Sequence, residues 1–243
     1  MAGPTECRPL RPGLAPGRMA LLITAAGALA VCGLAALFAA ILDNVLDGDG
    51  VTAWDGPISA WIMVHREPVL TTVMRSLTEV GNPPVLAAIM ALAAAVTTLR
   101  VRTLAPAILG SVAVAGFALM VLTVKLAVGR PRPPVSERAI AIDGSSFPSG
   151  HATGIAVVAL VSVWMLTRGR QGHRWTRAIA WIAAVVLIAA VGFSRVYLGV
   201  HYPSDIVAGW ALGAAWAGIL IAAGTAATPL WLGHPRGRRL CRP

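Results

Sequence analysis

The sequence predicts an all-α, polytopic membrane protein folded as a six-transmembrane-helix bundle. Three observations carry that reading. Six runs of at least 16 residues contain no charged side chain, and a spanning helix needs ~20 mostly apolar residues. Charged residues make up 12% of the chain and mean hydropathy is +0.74, whereas soluble domains are about 25% charged. Lys and Arg also alternate in density from loop to loop, as in a chain threading back and forth across a membrane.

Residues 1–18 are rich in Pro, Gly and Arg and read as a disordered cytoplasmic tail. Residues 19–42 form the first span, an uncharged run of 24 that is too long for the core of a cleaved signal. Leu29-Ala30-Val31-Cys32 faintly resembles a lipoprotein cleavage site. Val31 is too large for the position before the cysteine, and the apolar run continues past it. Asp43, Asp47, Asp49 and Asp55 make an acidic loop. Residues 57–77 mix apolar positions with His65, Arg66, Glu67 and Arg75 and are broken at Pro68. That pattern suits an amphipathic helix in the membrane interface, or an outer loop packed on the bundle.

Gly81-Asn82-Pro83-Pro84 is a break. Residues 83–99 form the second span, capped by Arg100 and Arg102, and residues 103–124 the third, ended by Lys125. A polar loop fills residues 129–150 and contains Arg130, Arg132 and Arg138. The fourth span, 152–167, precedes a basic connection of Arg168, Arg170, His173, Arg174 and Arg177. Residues 178–193 make the fifth span, 194–203 a short connection, and 206–233 carry the sixth, ending near Pro229. A basic tail of residues 234–243 follows, so residues 19–233 form one six-span domain between two tails. Gly209 and Gly213 sit four apart in the sixth span, a spacing that lets helices approach closely. Trp164, Trp181, Trp210 and Trp216 read as packing or lipid-facing residues.

Thirteen of the twenty Lys and Arg lie in the tails and the two even-numbered loops, with Glu6 the one acid among them. The positive-inside rule then puts both termini in the cytoplasm of a plasma-membrane protein. It also accounts for the formal charge of +10 without nucleic acid as a partner. Cys7, Cys32 and Cys241 show neither metal-ligand spacing nor a disulfide pattern.

The odd-numbered loops share the outer face and hold three clusters. Lys125 and Arg195 end apolar helices, where a cation is costly and usually functional. With Arg132 they make three permanent charges, which call for an acceptor-rich anion such as phosphate. Ser146-Phe147-Pro148-Ser149-Gly150-His151 is a turn into a helix start. The free N–H groups there favour an anion, and Gly150 lets a ligand approach the backbone. His201 precedes Asp205 by four residues. A carboxylate on one ring nitrogen leaves the other as nucleophile or base, and His151 supplies a second proton-handling group. Two histidines and an aspartate can also hold a metal, but three adjacent cations oppose a dication, so no metal is expected.

Lys125-x6-Arg132-Pro133, Pro148-Ser149-Gly150-His151 and Ser194-Arg195-x5-His201-x3-Asp205 resemble the three signature motifs of the type 2 phosphatidic acid phosphatase (PAP2) superfamily. They are complete, in the family's order and spacing. The resemblance implies a PAP2/haloperoxidase-like bundle and a phosphatase needing no cofactor. His201 would attack phosphorus and form a phosphohistidine, oriented by Asp205. His151 would protonate the leaving group and then activate water. Lys125, Arg132, Arg195, Ser149 and the Gly150 N–H would hold the phosphate oxygens, with Pro133, Pro148 and Ser194 in support. The expected substrate is a membrane lipid phosphate or diphosphate: a polyprenyl (carrier-lipid) diphosphate first, then phosphatidic acid or phosphatidylglycerol phosphate. A phosphotransferase would keep every motif. A non-enzymatic lipid-binding protein would not need both histidines, and six spans in a compact chain argue against a vanadate haloperoxidase.

Overall fold

The computed structural model describes residues 16–168 and 174–227. Most of the expected N-terminal tail, Arg170 and His173 of the basic connection, residues 228–233 and the tail at 234–243 lie outside the described residues. Among the described residues the secondary structure is helical, with no strand: α1 (Pro16–Asp47), α2 (Asp55–Val64), α3 (Pro68–Glu79), α4 (Pro83–Val101), α5 (Ala105–Val128), α6 (Gly150–Thr167), α7 (Arg174–Tyr197) and α8 (Pro203–Ala226). α1, α4, α5, α6, α7 and α8 are long and apolar enough to cross a membrane. The six-span reading therefore holds.

Local chemistry sets the boundaries. α3, α4 and α8 each open on a proline, where the missing N–H costs nothing. α5 stops at Gly129, whose φ of 63° is the left-handed conformation glycine tolerates. α1 runs beyond its apolar stretch to Asp47, because the residues past Leu42 can stay helical at the water side, and it ends where the Gly48 N–H bonds to the Asn44 carbonyl. The 57–77 segment is two helices, separated at 65–67 by the break read at Pro68. α7 continues through Ser194 and Arg195 to Tyr197. Those two residues are thus helical, and the connection to α8 shrinks to 198–202.

The uncharged run of α6 is the hub of the bundle. Apolar on every side, it can be covered on every side, and most of its residues are buried. It packs against α4, α5, α7 and α8, while α1 runs along α8 and α3 lies against α7. The small residues of α8 face α6. A Cβ at Gly213 would lie 2.5 Å from the Thr153 carbonyl oxygen and 2.9 Å from Ala156 Cβ, and one at Gly209 would lie 2.9 Å from the Ser149 carbonyl oxygen. Three tryptophans use glycines as seats: Trp216 on Gly116, Trp210 on Gly192 and Trp164 on Gly224. α2 and α3 cap the end of the bundle where α6 and α8 begin and leave Trp61, Val64, Val69 and Val73 exposed, as is Trp54 just before α2. One face therefore docks on the bundle, while the exposed side mixes these apolar residues with His65, Glu67, Thr72, Arg75 and Ser76.

Gly213→Val should force α6 and α8 apart. We expect a loss of about 1–3 kcal/mol, read as a lower thermal midpoint in detergent. Gly27→Val, with nothing within 4 Å of the new Cβ, should leave the midpoint unchanged.

Candidate active site

The three clusters meet at one end of the bundle. α6 begins at Gly150, with Ser149 as its N-cap and the Ser149 hydroxyl accepting from the Ala152 N–H at 3.4 Å. The Ser149 N–H donates to the Asp205 carbonyl at 3.1 Å, which stitches this turn to the first turn of α8. The Ser146 N–H donates to the Arg130 carbonyl at 2.8 Å, which brings in the loop after α5. A Cβ at Gly150 would meet only Val121, at 3.5 Å. Pro133 and Pro148 are buried within these turns.

His201 and Asp205 pair as expected, but not along one helix. His201 sits in the connection before α8, and Asp205 lies in the helix's first turn. Asp205 Oδ2 accepts from His201 Nδ1 at 3.3 Å and from the Tyr202 N–H at 2.9 Å. His201 Nδ1 therefore carries the proton. Its Nε2 accepts, at 3.1 Å, from Arg132 Nη1, which also donates to the Val200 carbonyl. Burial pushes the His201 imidazole down to about 4, although the Asp205 carboxylate pulls the other way. The His201 imidazole is thus held neutral.

Lys125 donates to the Ser145 carbonyl. Arg195, 2% exposed, gives Nη1 to Thr78 at 2.8 Å. Its Nε and Nη2 are buried and make no hydrogen bond among the described residues. Lys125, Arg132, Arg195 and His201 all act electrostatically on His151, so the five groups share one site. The Ser194 hydroxyl turns back to the Val191 carbonyl at 2.6 Å and serves its own helix.

Four further residues, outside the sequence-derived set, complete the site. Arg130 bridges two carboxylates, Asp205 Oδ1 and Asp55 Oδ2, each at 2.7 Å, and stacks over the Tyr202 ring at 4.6 Å. Burial works against the Arg130 charge, but the two carboxylates outweigh it and raise its pKa. Asp55 also accepts from the Ser204 N–H at 2.9 Å and the Ser204 hydroxyl at 2.5 Å. Thr78 holds Arg195, and Asn82 Oδ1 lies 2.9 Å from His151 Nε2. The one available signal was Arg130 itself, a cation between Gly129 and Pro131 as close to an apolar helix end as Lys125. Asp55, Thr78 and Asn82 sit 75, 117 and 69 residues from their partners, and no local pattern marks them.

Comparison with known proteins identifies the family. The family model described as the PAP2 superfamily matches residues 84–229. Phosphatidylglycerophosphatase B of Bacillus subtilis is 29% identical over 73% of this chain and 86% of its own length. Decaprenylphosphoryl-5-phosphoribose phosphatase of Mycobacterium tuberculosis is 35% identical over 63% of this chain and 78% of its own. The crystal structure of a transmembrane PAP2-type phosphatidylglycerolphosphate phosphatase from Bacillus subtilis superimposes with a TM-score of 0.75. It is 25% identical, and the match covers 81% of this chain and 96% of that one.

Asp55→Ala would strand the Ser204 N–H and leave Arg130 with one carboxylate. Breaking a buried pair of this kind costs about 3 kcal/mol, so thermal unfolding in detergent should shift markedly downward. Arg130→Lys should not preserve stability, because one ammonium cannot span both carboxylates as the fork does.

Proposed function

The chain belongs to the PAP2 superfamily, and from that premise we propose that it is a metal-independent phosphatase of a membrane lipid phosphate or diphosphate. In this reading it works on the extracytoplasmic face of the plasma membrane through a phosphohistidine at His201. The observation that carries the proposal is the set of donors around His201 Nε2. Arg132 already contacts that nitrogen, and Arg195 brings two buried nitrogens, Nε and Nη2, that have no hydrogen-bond partner among the described residues. A phosphoryl group supplies both an electrophile for the nitrogen and acceptors for the cations.

The steps follow from the placement of each group. Phosphate oxygens are held by Lys125, Arg132, Arg195, Ser149 and the Gly150 N–H at the start of α6, where the helix dipole favours negative charge. The lone pair of His201 Nε2 attacks phosphorus while the bond to the leaving oxygen breaks. That oxygen departs with its electron pair and takes a proton from His151. Asp205 holds Nδ1–H and stabilises the positive charge that builds on the ring. Charge spreading over the phosphoryl oxygens is met by the fixed cations. His151, now neutral, takes a proton from water, whose oxygen attacks phosphorus. The P–N bond breaks, His201 recovers its lone pair, and inorganic phosphate leaves. The cations do the work a bound dication would otherwise do.

A lipid substrate follows from the surroundings: the site crowns a bundle whose flanks are apolar, and a head group can enter while its chains stay in the bilayer. The relatives named for phosphatidylglycerophosphate and for a decaprenylphosphoryl phosphoribose fit this class. The outward orientation rests on the Lys and Arg asymmetry.

His201→Ala should lower phosphate release from a panel of phosphatidic acid, phosphatidylglycerol phosphate and polyprenyl diphosphate by about 10³-fold or more. A chelator should leave wild-type release intact, and wild-type turnover by His201→Ala would refute the nucleophile. Protonation of His201 removes the attacking lone pair, so activity falls as pH drops through its pKa. With burial holding that group near 4, the acid limb of kcat/KM should lie near pH 4 rather than 6.5, once the substrate's own titration is allowed for. For orientation, with Cys7, Cys32 and Cys241 replaced, an impermeant maleimide added to intact cells should label Ser136→Cys and spare Arg102→Cys.

A further inference from the structure

His201 has Asp205 to fix its ring, while the signature motifs give His151 no such partner. The structure supplies one from elsewhere in the chain. Asn82, the N-cap of α4, sets Oδ1 2.9 Å from His151 Nε2. An amide can offer either its oxygen or its nitrogen, and here a third residue makes the choice. Asn82 Nδ2 donates to Glu79 Oε2 at 2.5 Å, so the oxygen is the atom that faces the ring. His151 Nε2 must then be the protonated nitrogen, and Nδ1 is left to exchange protons. The ring is also confined by the chain beside Asn82: a Cβ at Gly81 would lie 2.7 Å from His151 Cδ2 and 2.8 Å from Val191 Cγ1.

We propose that Asn82, oriented by Glu79, is the positioning residue for His151, holding Nε2–H so that Nδ1 gives its proton to the leaving oxygen and later takes one from water. The two histidines thus have partners of different charge, suited to different tasks. His201 gains positive charge as it attacks, and a carboxylate stabilises that charge. His151 must release a proton, and a neutral amide orients the ring without adding a charge that favours keeping it. Arg195 from α7, Lys125 from α5, and Arg132 and His201 from the two loops also act electrostatically on His151. Glu79 is joined to it through the amide.

This inference rests on the acid–base role of His151 in the proposed function, and the experiment separates the two. Full-length protein in detergent is assayed on dioleoyl phosphatidic acid, whose leaving oxygen needs a proton, and on p-nitrophenyl phosphate, whose leaving oxygen needs little help. kcat/KM reports the steps through the first phosphoryl transfer. Asn82→Ala should lose roughly 10- to 100-fold on phosphatidic acid but less than ~3-fold on p-nitrophenyl phosphate. Asn82→Asp keeps an acceptor opposite Nε2 but adds a charge that favours keeping the proton, so on phosphatidic acid it should exceed the alanine variant by ~3-fold or more and still stay below wild type. If the alanine variant is not monodisperse, Asn82→Leu, branched alike at Cγ and lacking an acceptor, replaces it. Equal losses on both substrates, or a wild-type rate on phosphatidic acid, would overturn the role of Asn82 provided His151→Ala is strongly impaired. Wild-type turnover by His151→Ala would instead sink the acid–base reading itself.

Discussion

The carboxylate of Asp205 has no exposed surface, and a charge at that depth persists only when every lone pair finds a partner. Its partners come from separate stretches of chain: Arg130 after α5, and the Tyr202 N–H and His201 before α8. Its own carbonyl accepts from Ser149, at the start of α6. Arg130 passes the constraint outward to Asp55 on α2. One buried charge therefore gathers four segments at this end of the bundle to within hydrogen-bond distance, and the proposed nucleophile is held as part of that arrangement.

The apolar bundle has to deliver those segments at matching heights. Lipid chains are as apolar as leucine, so helices in a bilayer associate by close packing rather than by hiding from water. Gly209 and Gly213 let α8 approach α6 at backbone distance, and the tryptophan–glycine seats fill the wider gaps between α5, α7, α8 and α6. Because α6 and α8 are locked together, Ser149, His151, His201 and Asp205 keep a fixed relative depth. Ridge and slot packing thus serves the chemistry, although no residue in it touches phosphate in the proposed mechanism.

The helical pair α2–α3 had no assigned role in the sequence reading, yet it fastens the outer loops. Asp55 holds Arg130, and Thr78 holds Arg195. The Glu67 N–H donates to the Tyr197 hydroxyl at 2.8 Å, and Arg66 donates to the Glu137 carbonyl at 2.9 Å. Its exposed side carries tryptophan and valine beside polar residues, so the element that buttresses the site is held by one face and open on the other.

The sequence by itself determined the six spans, their approximate limits, and the eight polar groups of the three motifs. Each of these is written locally, as a charge-free run, a proline before a helix, or a charge at the end of an apolar stretch. Tertiary structure alone decided which nitrogen of His201 faces the cations, that Ser194 serves its own helix, and that Arg195 lies in a helix rather than a connection. It also decided that Arg130, Asp55, Thr78 and Asn82 belong to the site. Their partners across the fold lie 69 to 149 residues away. Hydrogen-bond satisfaction of a buried charge is a property of the folded surroundings, and spacing along the chain does not encode it.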